Sequence, residues 1–325
     1  MALIRLIRGV AAAAQTTPGT AATLGTNNWL NWPTMCKFTD AITVEFPKLL
    51  HYQIWMEQQG IPLTRLMQWE IQGLADTWQW AWFLASFDGS PTGAGPYVFT
   101  PGKNAAKLLT LVKVNANLTT YRQLVDAICS EVVLDWTANG LTKFTAKGVG
   151  LLSAPASSPP VPSYPTPADK SPLQPAWGRW VVNGVARNIV KGKLTLKQSV
   201  APFYASGTGS VPTTPVGVSP TDWEVDDMGA TLDIESAYAA DAGSDLAAYR
   251  GDVTNTTNTL TALDPVTAGS KGIVITVPKM KAATGSEDDT KAISRQTTVQ
   301  HLLYDATLVS GLSISVNGDA GFAAS

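Results

Sequence analysis

The sequence predicts a mainly β protein in which two similar units follow one another. Alternation of apolar and polar residues, typical of strands with one buried face, recurs along both halves of the chain. Eight prolines between Pro155 and Pro175 separate the halves. Each half has about 150 residues, which is enough for a core of its own. We therefore expect β-sandwich or β-barrel units with flanking helices, arranged as a tandem duplication.

The first half is expected to begin with an N-terminal arm at residues 1–35, with a cleaved targeting segment as the alternative. Its unit spans residues 36–150. The predicted elements are strands 36–48 and 62–73, a helix 74–88, a strand 106–115 and a hairpin within 124–150. Asn139-Gly140 has the residues that favour positive φ values, so a type I′ turn is expected in the hairpin.

The second half is expected to repeat this order within residues 179–319, before a tail at residues 320–325. The predicted elements are strands 192–200, 230–238 and 272–280, a helix 244–251, an acidic loop 284–291 and two closing strands within 293–319. Both halves thus run strand, strand, helix and then strands. The similarity lies in pattern rather than in residue identity, and it predicts a structural duplication.

The proline-rich segment, residues 151–178, can be neither a central strand nor a helix interior, because proline lacks an amide hydrogen and fixes φ. Its composition favours an extended polyproline II conformation. We interpret it as a semi-rigid linker. An arm that lies on a neighbouring subunit and a ligand of the SH3 type are the alternatives.

The residues that catalysis requires do not form a recognisable constellation. The two histidines, His51 and His301, have no partner at metal-binding or catalytic spacing, and Cys36 and Cys129 are too few for a disulfide framework or a zinc site. The loop at residues 89–104 lacks the spacing of a phosphate-binding loop. No apolar run is long enough to cross a membrane. The sequence therefore predicts no enzyme, no cofactor and no metal.

Charge is sparse and segregated. Charged residues make up 15% of the chain, whose net charge is −2. Residues 170–197 contain six basic residues and no acidic residue, whereas residues 222–289 contain 13 acidic and four basic residues. Such segregation indicates either solvated faces or a patch that meets its opposite on another subunit.

Four segments, residues 107–150, 190–203, 272–280 and 297–319, carry a family resemblance. In order they read as a strand and long hairpin, a "KGKLTLKQ" strand, a "GIVITV" strand, and an ending in which Tyr304-Asp305 precedes "LSISVNG". In this pattern the chain resembles the tail tube proteins (major tail proteins) of long-tailed, non-contractile bacteriophages, from about residue 36 onward.

The resemblance implies a structural virion protein that is made in the host cytoplasm and polymerises as stacked rings into the phage tail tube, the conduit for DNA ejection. Duplicated members of that family form trimeric rings with pseudo-sixfold symmetry, so a homotrimeric ring is expected. The expected partners are further copies, other tail proteins at the tube ends and passing DNA that is bound without sequence specificity. No membrane is involved.

The same resemblance implies an inner sheet with an acidic lumen wall, for which the hairpin 131–147 and strands 192–200, 230–238 and 272–280 are candidates. The candidate lumen residues are Asp135, Asp233 and Glu235, although Lys143 and Lys193 lie on the same strands. The candidate charge contacts between subunits are Lys191, Lys193, Lys197, Asp226, Asp227, Glu287, Asp288 and Asp289.

Two alternative functions stay open. One is a secreted, β-rich carbohydrate-binding module that would present Trp78, Trp80 and Trp82 to a sugar. The other is a different phage structural protein, a capsid decoration or baseplate ring component.

Overall fold

The structure is a computed structural model. It describes residues 7–45, 48–51, 54–57, 61–76, 79–89, 91–92, 96–115, 121–152, 160–164, 172–182, 185–204, 222–237, 258–263, 272–288, 295–308 and 310–317. Within these ranges the protein has 18 strands and two 3₁₀ helices, which confirms the predicted mainly β fold.

Strands follow one another along most of the described chain. In chain order they are β1 (Ile7–Ala14), β2 (Pro33–Glu45), β3 (Lys48–His51), β4 (Ile54–Glu57), β5 (Ile61–Leu74), β6 (Tyr97–Phe99), β7 (Leu109–Asn115), β8 (Tyr121–Thr137), β9 (Lys143–Leu152), β10 (Gln174–Val182), β11 (Val185–Arg187), β12 (Ile189–Phe203), β13 (Asp222–Ala237), β14 (Asn258–Leu263), β15 (Gly272–Val277), β16 (Met280–Asp288), β17 (Arg295–Leu302) and β18 (Ser313–Asn317). The 3₁₀ helices are Thr26–Asn28 and Gln79–Ser86.

Ten of the described strands form one antiparallel sheet that curls into a half-barrel. Eight of them follow the order β16-β17-β13-β12-β8-β9-β5-β2, while β7 pairs with β8 and β1 pairs with β7. A second sheet has the order β11-β10-β14-β15-β18-β6, and β3 pairs with β4 as a separate hairpin. Because β8 pairs directly with β12, the two halves of the chain share one sheet.

The larger of the two buried apolar clusters in the described residues lies against one face of the large sheet. Leu194 and Leu196 of β12 and Leu232 of β13 are buried there, with Val132 and Leu134 of β8 beside them. The second sheet contributes a further set of buried apolar side chains to the same cluster: Phe99, Ile273, Ile275, Val277, Ile314 and Val316. The fold is therefore stabilised by apolar area that both halves remove from water together.

The predicted helix at residues 74–88 is wrong in extent and in type. Strand β5 continues to Leu74, and the helix that follows is the 3₁₀ helix Gln79–Ser86, all of whose residues are buried. Its first amide is capped, since the Gln79 N–H donates to Asp76 Oδ1 at 2.7 Å. A helix buried on every side has no polar face to show, so spacing alone could not set its bounds.

The N-terminal segment is part of the sheet from Ile7 onward, which corrects the prediction of an arm over residues 1–35. Strand β1 pairs with β7, and Ala11 and Ala12 are fully buried. The loop that follows β1 is hydrogen-bonded to β8, because the Gly19 N–H donates to Asp126 Oδ1 at 2.7 Å. Small alanine side chains allow close packing on both faces of this strand, a property that the apolar-polar alternation rule does not detect.

Residues 160–164 of the proline-rich segment lie on the chain's own N-terminal region. The ring of Tyr164 meets that of Trp29 edge-on with centroids 6.4 Å apart, and the hydroxyls of Ser163 and Thr26 are 3.2 Å apart. Strand β10 begins at Gln174, inside the predicted linker. Residues 153–159 and 165–171 lie outside the described residues.

The predicted hairpin, acidic loop and second helix have different outcomes. The hairpin of β8 and β9 is present, but neither Asn139 nor Gly140 adopts positive φ. Its five-residue connection is instead held by neighbouring backbone, with the Thr142 N–H donating to Leu173 O at 2.9 Å. Residues 284–288, predicted as loop, belong to β16. The predicted helix 244–251 lies outside the described residues.

No helix in the described part of the chain combines the length and the apolar character that crossing a bilayer would demand.

Candidate functional site

The face of the large sheet that lies away from the core is lined by charged and hydroxyl side chains, and we call it the polar face. On β12, exposed Lys193 and Lys197 alternate with buried Leu194 and Leu196. The strand geometry explains the alternation, since successive side chains leave opposite sides of a sheet. Charged positions on the polar face include Lys37, Glu70, Glu131, Asp135, Lys143, Lys147, Lys191, Lys193, Lys197, Asp233 and Glu235.

Opposite charges alternate along rows of this face. The Lys197 ammonium lies 3.1 Å from Glu131, and that of Lys147 lies 3.7 Å from Glu131 and 3.9 Å from Glu70. Both lysine side chains are about half exposed. Water and salt therefore screen these pairs, and each contributes less than about 1 kcal/mol.

All three predicted lumen residues lie on the polar face, but each has a lysine directly opposite. Asp135 and Asp233 flank Lys193 on the two neighbouring strands, and Glu235 stands opposite Lys191. The eleven positions named above comprise six lysines and five carboxylates, so their charges nearly balance. The face is therefore a ladder of alternating charge rather than an acidic strip, because like charges directly opposite each other would destabilise the sheet.

The predicted inter-subunit lysines, Lys191, Lys193 and Lys197, lie in the middle of the sheet with carboxylates of their own chain beside them. Their contact with acidic residues of a neighbouring copy stays a prediction. Glu287 and Asp288 occupy the last two positions of β16, and Asp289 lies outside the described residues.

Asp226 and Asp227 lie on an exposed β-bulge of β13. Asp227 adopts φ of 48°, a left-handed conformation that aspartate tolerates, and its N–H is bonded to the carboxylate of Asp226. Beyond the bulge, β12 and β13 continue as a two-stranded arm past the pairing range of their neighbours β8 and β17. Phe203 and Val225 on this arm are 45% and 39% exposed, so the arm presents both apolar and acidic surface.

The strand order of the large sheet repeats. In the first half, β2, β5, β8 and β9 lie side by side in the order β2-β5-β9-β8. In the second half, β12, β13, β16 and β17 lie in the order β12-β13-β17-β16. In each unit the four strands, numbered by chain order, therefore lie side by side as first, second, fourth and third. The strand at the far side of unit one, β8, pairs with the first strand of unit two, β12.

A β-bulge fixes which residues correspond in the two units. In the first unit, one extra residue separates the Cys129–Gly148 pair from the Glu131–Lys147 pair. In the second unit, one extra residue separates Ala282–Gln300 from Thr284–Val299. Because a bulge interrupts a ladder at one defined place, Glu131 corresponds to Thr284 and Lys147 to Val299.

The correspondence extends along the rows. Lys147 stands opposite Glu70, which stands opposite Lys37; in the second unit Val299 stands opposite Asp233, which stands opposite Lys193. Lys37 therefore corresponds to Lys193. Counting along the same strands, Asp135 corresponds to Asp288 and Lys143 corresponds to Arg295. Asp135 stands opposite Lys143, and Asp288 stands opposite Arg295.

The two ends of the eight-strand path are unlike edges. β2, the first strand of unit one, ends the sheet on one side, and β16, the counterpart of β8 in unit two, ends it on the other. Neither end has a second neighbour among the described strands. Unpaired strand edges present rows of N–H and C=O groups, so these two edges are the strongest candidates for a binding site on the molecule.

The residues of the competing hypotheses lie elsewhere. Trp80 and Trp82 are 1% exposed, so they cannot stack on a sugar; Trp78 lies outside the described residues. Cys36 and Cys129 are free and buried. Burial raises the pKa of the Cys36 thiol to about 12 and raises that of Cys129 as well. Within the described ranges, no three histidine, cysteine or carboxylate side chains are grouped as metal ligands.

A shallow cleft on the polar face, about 280 Å³ in volume, lies over Trp69 and Gly148 and is bordered by Lys37, Glu70 and Lys147. It is open, and both members of the Lys147–Glu70 ion pair line it. No sequence pattern indicated this cleft, because its walls come from strands that are distant along the chain.

Comparison with protein-family models gave no match to this chain, and a search of curated proteins also gave none.

Proposed function

We propose that this chain is a structural subunit that polymerises with its own copies into stacked rings, and that these rings form the tail tube of a long-tailed phage. The observation that carries the proposal is the head-to-tail repeat of the four-strand unit, which ends in two unlike edges, β2 and β16, that pair with no further described strand. Such edges make a heterologous contact, and heterologous contacts generate rings when the rotation closes. The tail-tube assignment itself rests on the resemblance in sequence pattern.

The offset in register between the two units sets the strand tilt that a closed barrel of such units would have. Lys37, Glu70, Lys147, Glu131 and Lys197 stand in one row, yet the counterpart of Lys37 is Lys193, four residues before Lys197. Four residues rise about 13 Å while four strands span about 19 Å, so the strands of a closed barrel would tilt by about 35°. This tilt lies at the lower end of the range of known barrels.

Three chains are the number that best fits a DNA conduit. They would contribute 24 strands, three times the eight of one path, and at this tilt the barrel would measure about 45 Å between opposite backbones. Two chains would give about 30 Å, the strand number of a porin, whose channel passes only small solutes. The estimated barrel diameter therefore favours three chains with six similar units, as in the proposed trimeric, pseudo-sixfold ring.

The polar face suits the lumen of such a ring. Phosphate binding grows with each lysine or arginine that neutralises a phosphate and releases a counterion. On this face, lysines alternate with carboxylates along the rows, so few cationic contacts remain for passing DNA. We therefore propose a wall of balanced charge that DNA crosses without specific binding, in place of an acidic wall.

The test is the mass of the purified full-length chain by analytical ultracentrifugation, followed by negative-stain microscopy. We expect a closed particle of about 103 kDa, three times the chain mass of 34.4 kDa, and tubes of stacked rings at higher concentration. A chain that stays monomeric at every concentration would overturn the proposal. A dimeric or tetrameric ring would leave self-assembly intact but refute the ring size.

A further inference from the structure

We infer that β16 of one copy pairs antiparallel with β2 of the next copy, in the register that places Ser286 opposite Thr39 and Asp288 opposite Lys37. The inference rests on the proposed self-assembly and specifies its seam. The chain contains its own template for this seam, namely the junction of β8 with β12 between the two units.

The template sets the register. At the internal junction Asp135 stands opposite Lys193 and Val133 opposite Thr195. In the correspondence between units that the bulges define, Asp135 matches Asp288 and Lys193 matches Lys37. Two residues further along the same strands, Val133 matches Ser286 and Thr195 matches Thr39. Replacing each residue of the internal junction by its counterpart gives the register of the seam between copies.

Strand direction is consistent with this pairing. Neighbours along the eight-strand path are antiparallel at every step, so direction alternates from β2 to β16. An even number of strands leaves β16 antiparallel to β2, as β8 is to β12. A copy placed beside β16 by the same operation that relates the two units would therefore continue the antiparallel ladder without a reversal.

The chemistry of the edge positions also fits. Lys37 is exposed on the polar face of the edge strand β2, and the inferred register sets it opposite a carboxylic residue, as Lys193 is set opposite Asp135. The backbone hydrogen bonds of the ladder would provide affinity, and the opposite charges would favour this register over one displaced by two residues. A second copy of this chain is thus the partner that the edge geometry fits.

Engineered disulfides in the full-length chain test the seam. The variant T39C/S286C, mildly oxidised after assembly, should give covalent multimers up to the ring size on a non-reducing gel. The variant V133C/T195C has its cysteines at the internal junction, where the same geometry exists within one chain, and it should oxidise without a change in chain number. Disulfides need Cα atoms closer than about 7 Å. In M35C/S286C the cysteine on β2 lies four residues, or about 13 Å, from the position opposite residue 286, so this variant should not crosslink.

The outcomes separate the two proposals. If the unsubstituted chain forms no ring, the proposed function fails. If rings form but T39C/S286C gives no multimers while V133C/T195C oxidises, the seam is wrong and the proposed function stands. Multimers from T39C alone would indicate a symmetric β2–β2 contact, and equal crosslinking of M35C/S286C would indicate a different register; each refutes the inference.

Charge exchange provides a second readout that does not depend on cysteine chemistry. Lys37→Glu should weaken association about two- to five-fold per contact, because it sets like charges opposite each other. Adding Asp288→Lys should restore association. Lys103→Glu, an equal charge change at an exposed lysine in the 101–104 loop, is the matched control and should leave association unchanged. A K37E/D288K chain no better than K37E would contradict the inferred register.

Discussion

The internal junction between the two units depends on a glycine that makes room for an indole ring. Gly192 of β12 stands opposite Trp136 of β8, and Trp136 is 5% exposed. A Cβ added at Gly192 would lie 2.3 Å from Cζ2, 2.4 Å from Cε2 and 2.6 Å from Nε1 of that ring. Carbon atoms pack best at about 3.5–4.0 Å, so the ring would have to retreat by more than about 1 Å. We predict that Gly192→Ala lowers the free energy of unfolding by about 1–3 kcal/mol, the usual cost of overpacking.

Urea denaturation followed by circular dichroism measures this loss, and two further variants identify its cause. Trp136→Leu removes all three ring atoms that the new methyl group would meet, and it breaks no hydrogen bond among the described residues, where Trp136 Nε1 has no partner. In that background Gly192→Ala should cost less than about 0.5 kcal/mol. Gly229→Ala is the matched control on the adjacent strand, where no described atom lies within 4 Å of the added Cβ. An unchanged cost in the Trp136→Leu background would refute the steric explanation.

Three other predictions concern buried or capping groups. Gln198 donates two hydrogen bonds to buried backbone carbonyls, at 2.9 and 2.5 Å, so the volume-conserving Gln198→Met should lower the free energy of unfolding by about 1–3 kcal/mol, as measured by urea denaturation. The Leu308 N–H and the Lys279 ammonium hold the pKa of the Asp305 carboxyl below its usual range; the carboxylate therefore stabilises the fold at neutral pH, and the gap between wild type and Asp305→Asn in thermal melts should close as pH falls through the folded-state pKa. Cys36 and Cys129 are buried with raised pKa values, so Ellman's reagent at pH 8 should react with both thiols only after denaturation, and rapid reaction of the native chain would contradict their burial.

The alternation rule located most of the strands that matter for the proposed assembly. Residues 62–73 and 192–200 lie within β5 and β12, and the hairpin of β8 and β9 lies where it was predicted. It failed at β1 and at the helix Gln79–Ser86, which are buried on all sides and therefore have no polar positions to set a period. It also failed at β16, whose hydroxyl and acidic residues resemble a loop in composition.

The sequence by itself determined the β class, because it is expressed in local periodicity. The predicted repeat of strand, strand, helix and strands stays a prediction, since the second helix lies outside the described residues; the repeat in the structure instead matches β8 and β9 to β16 and β17. The sequence placed Asp135, Asp233 and Glu235 on strands, yet it could not show that each faces a lysine, since cross-strand neighbours depend on register. Only the tertiary structure decided that the two units share one sheet, that bulges at Ser130 and residue 283 align them, and that β2 and β16 end the path. These properties arise from pairing between residues that are distant along the chain, and local periodicity carries no record of such pairing.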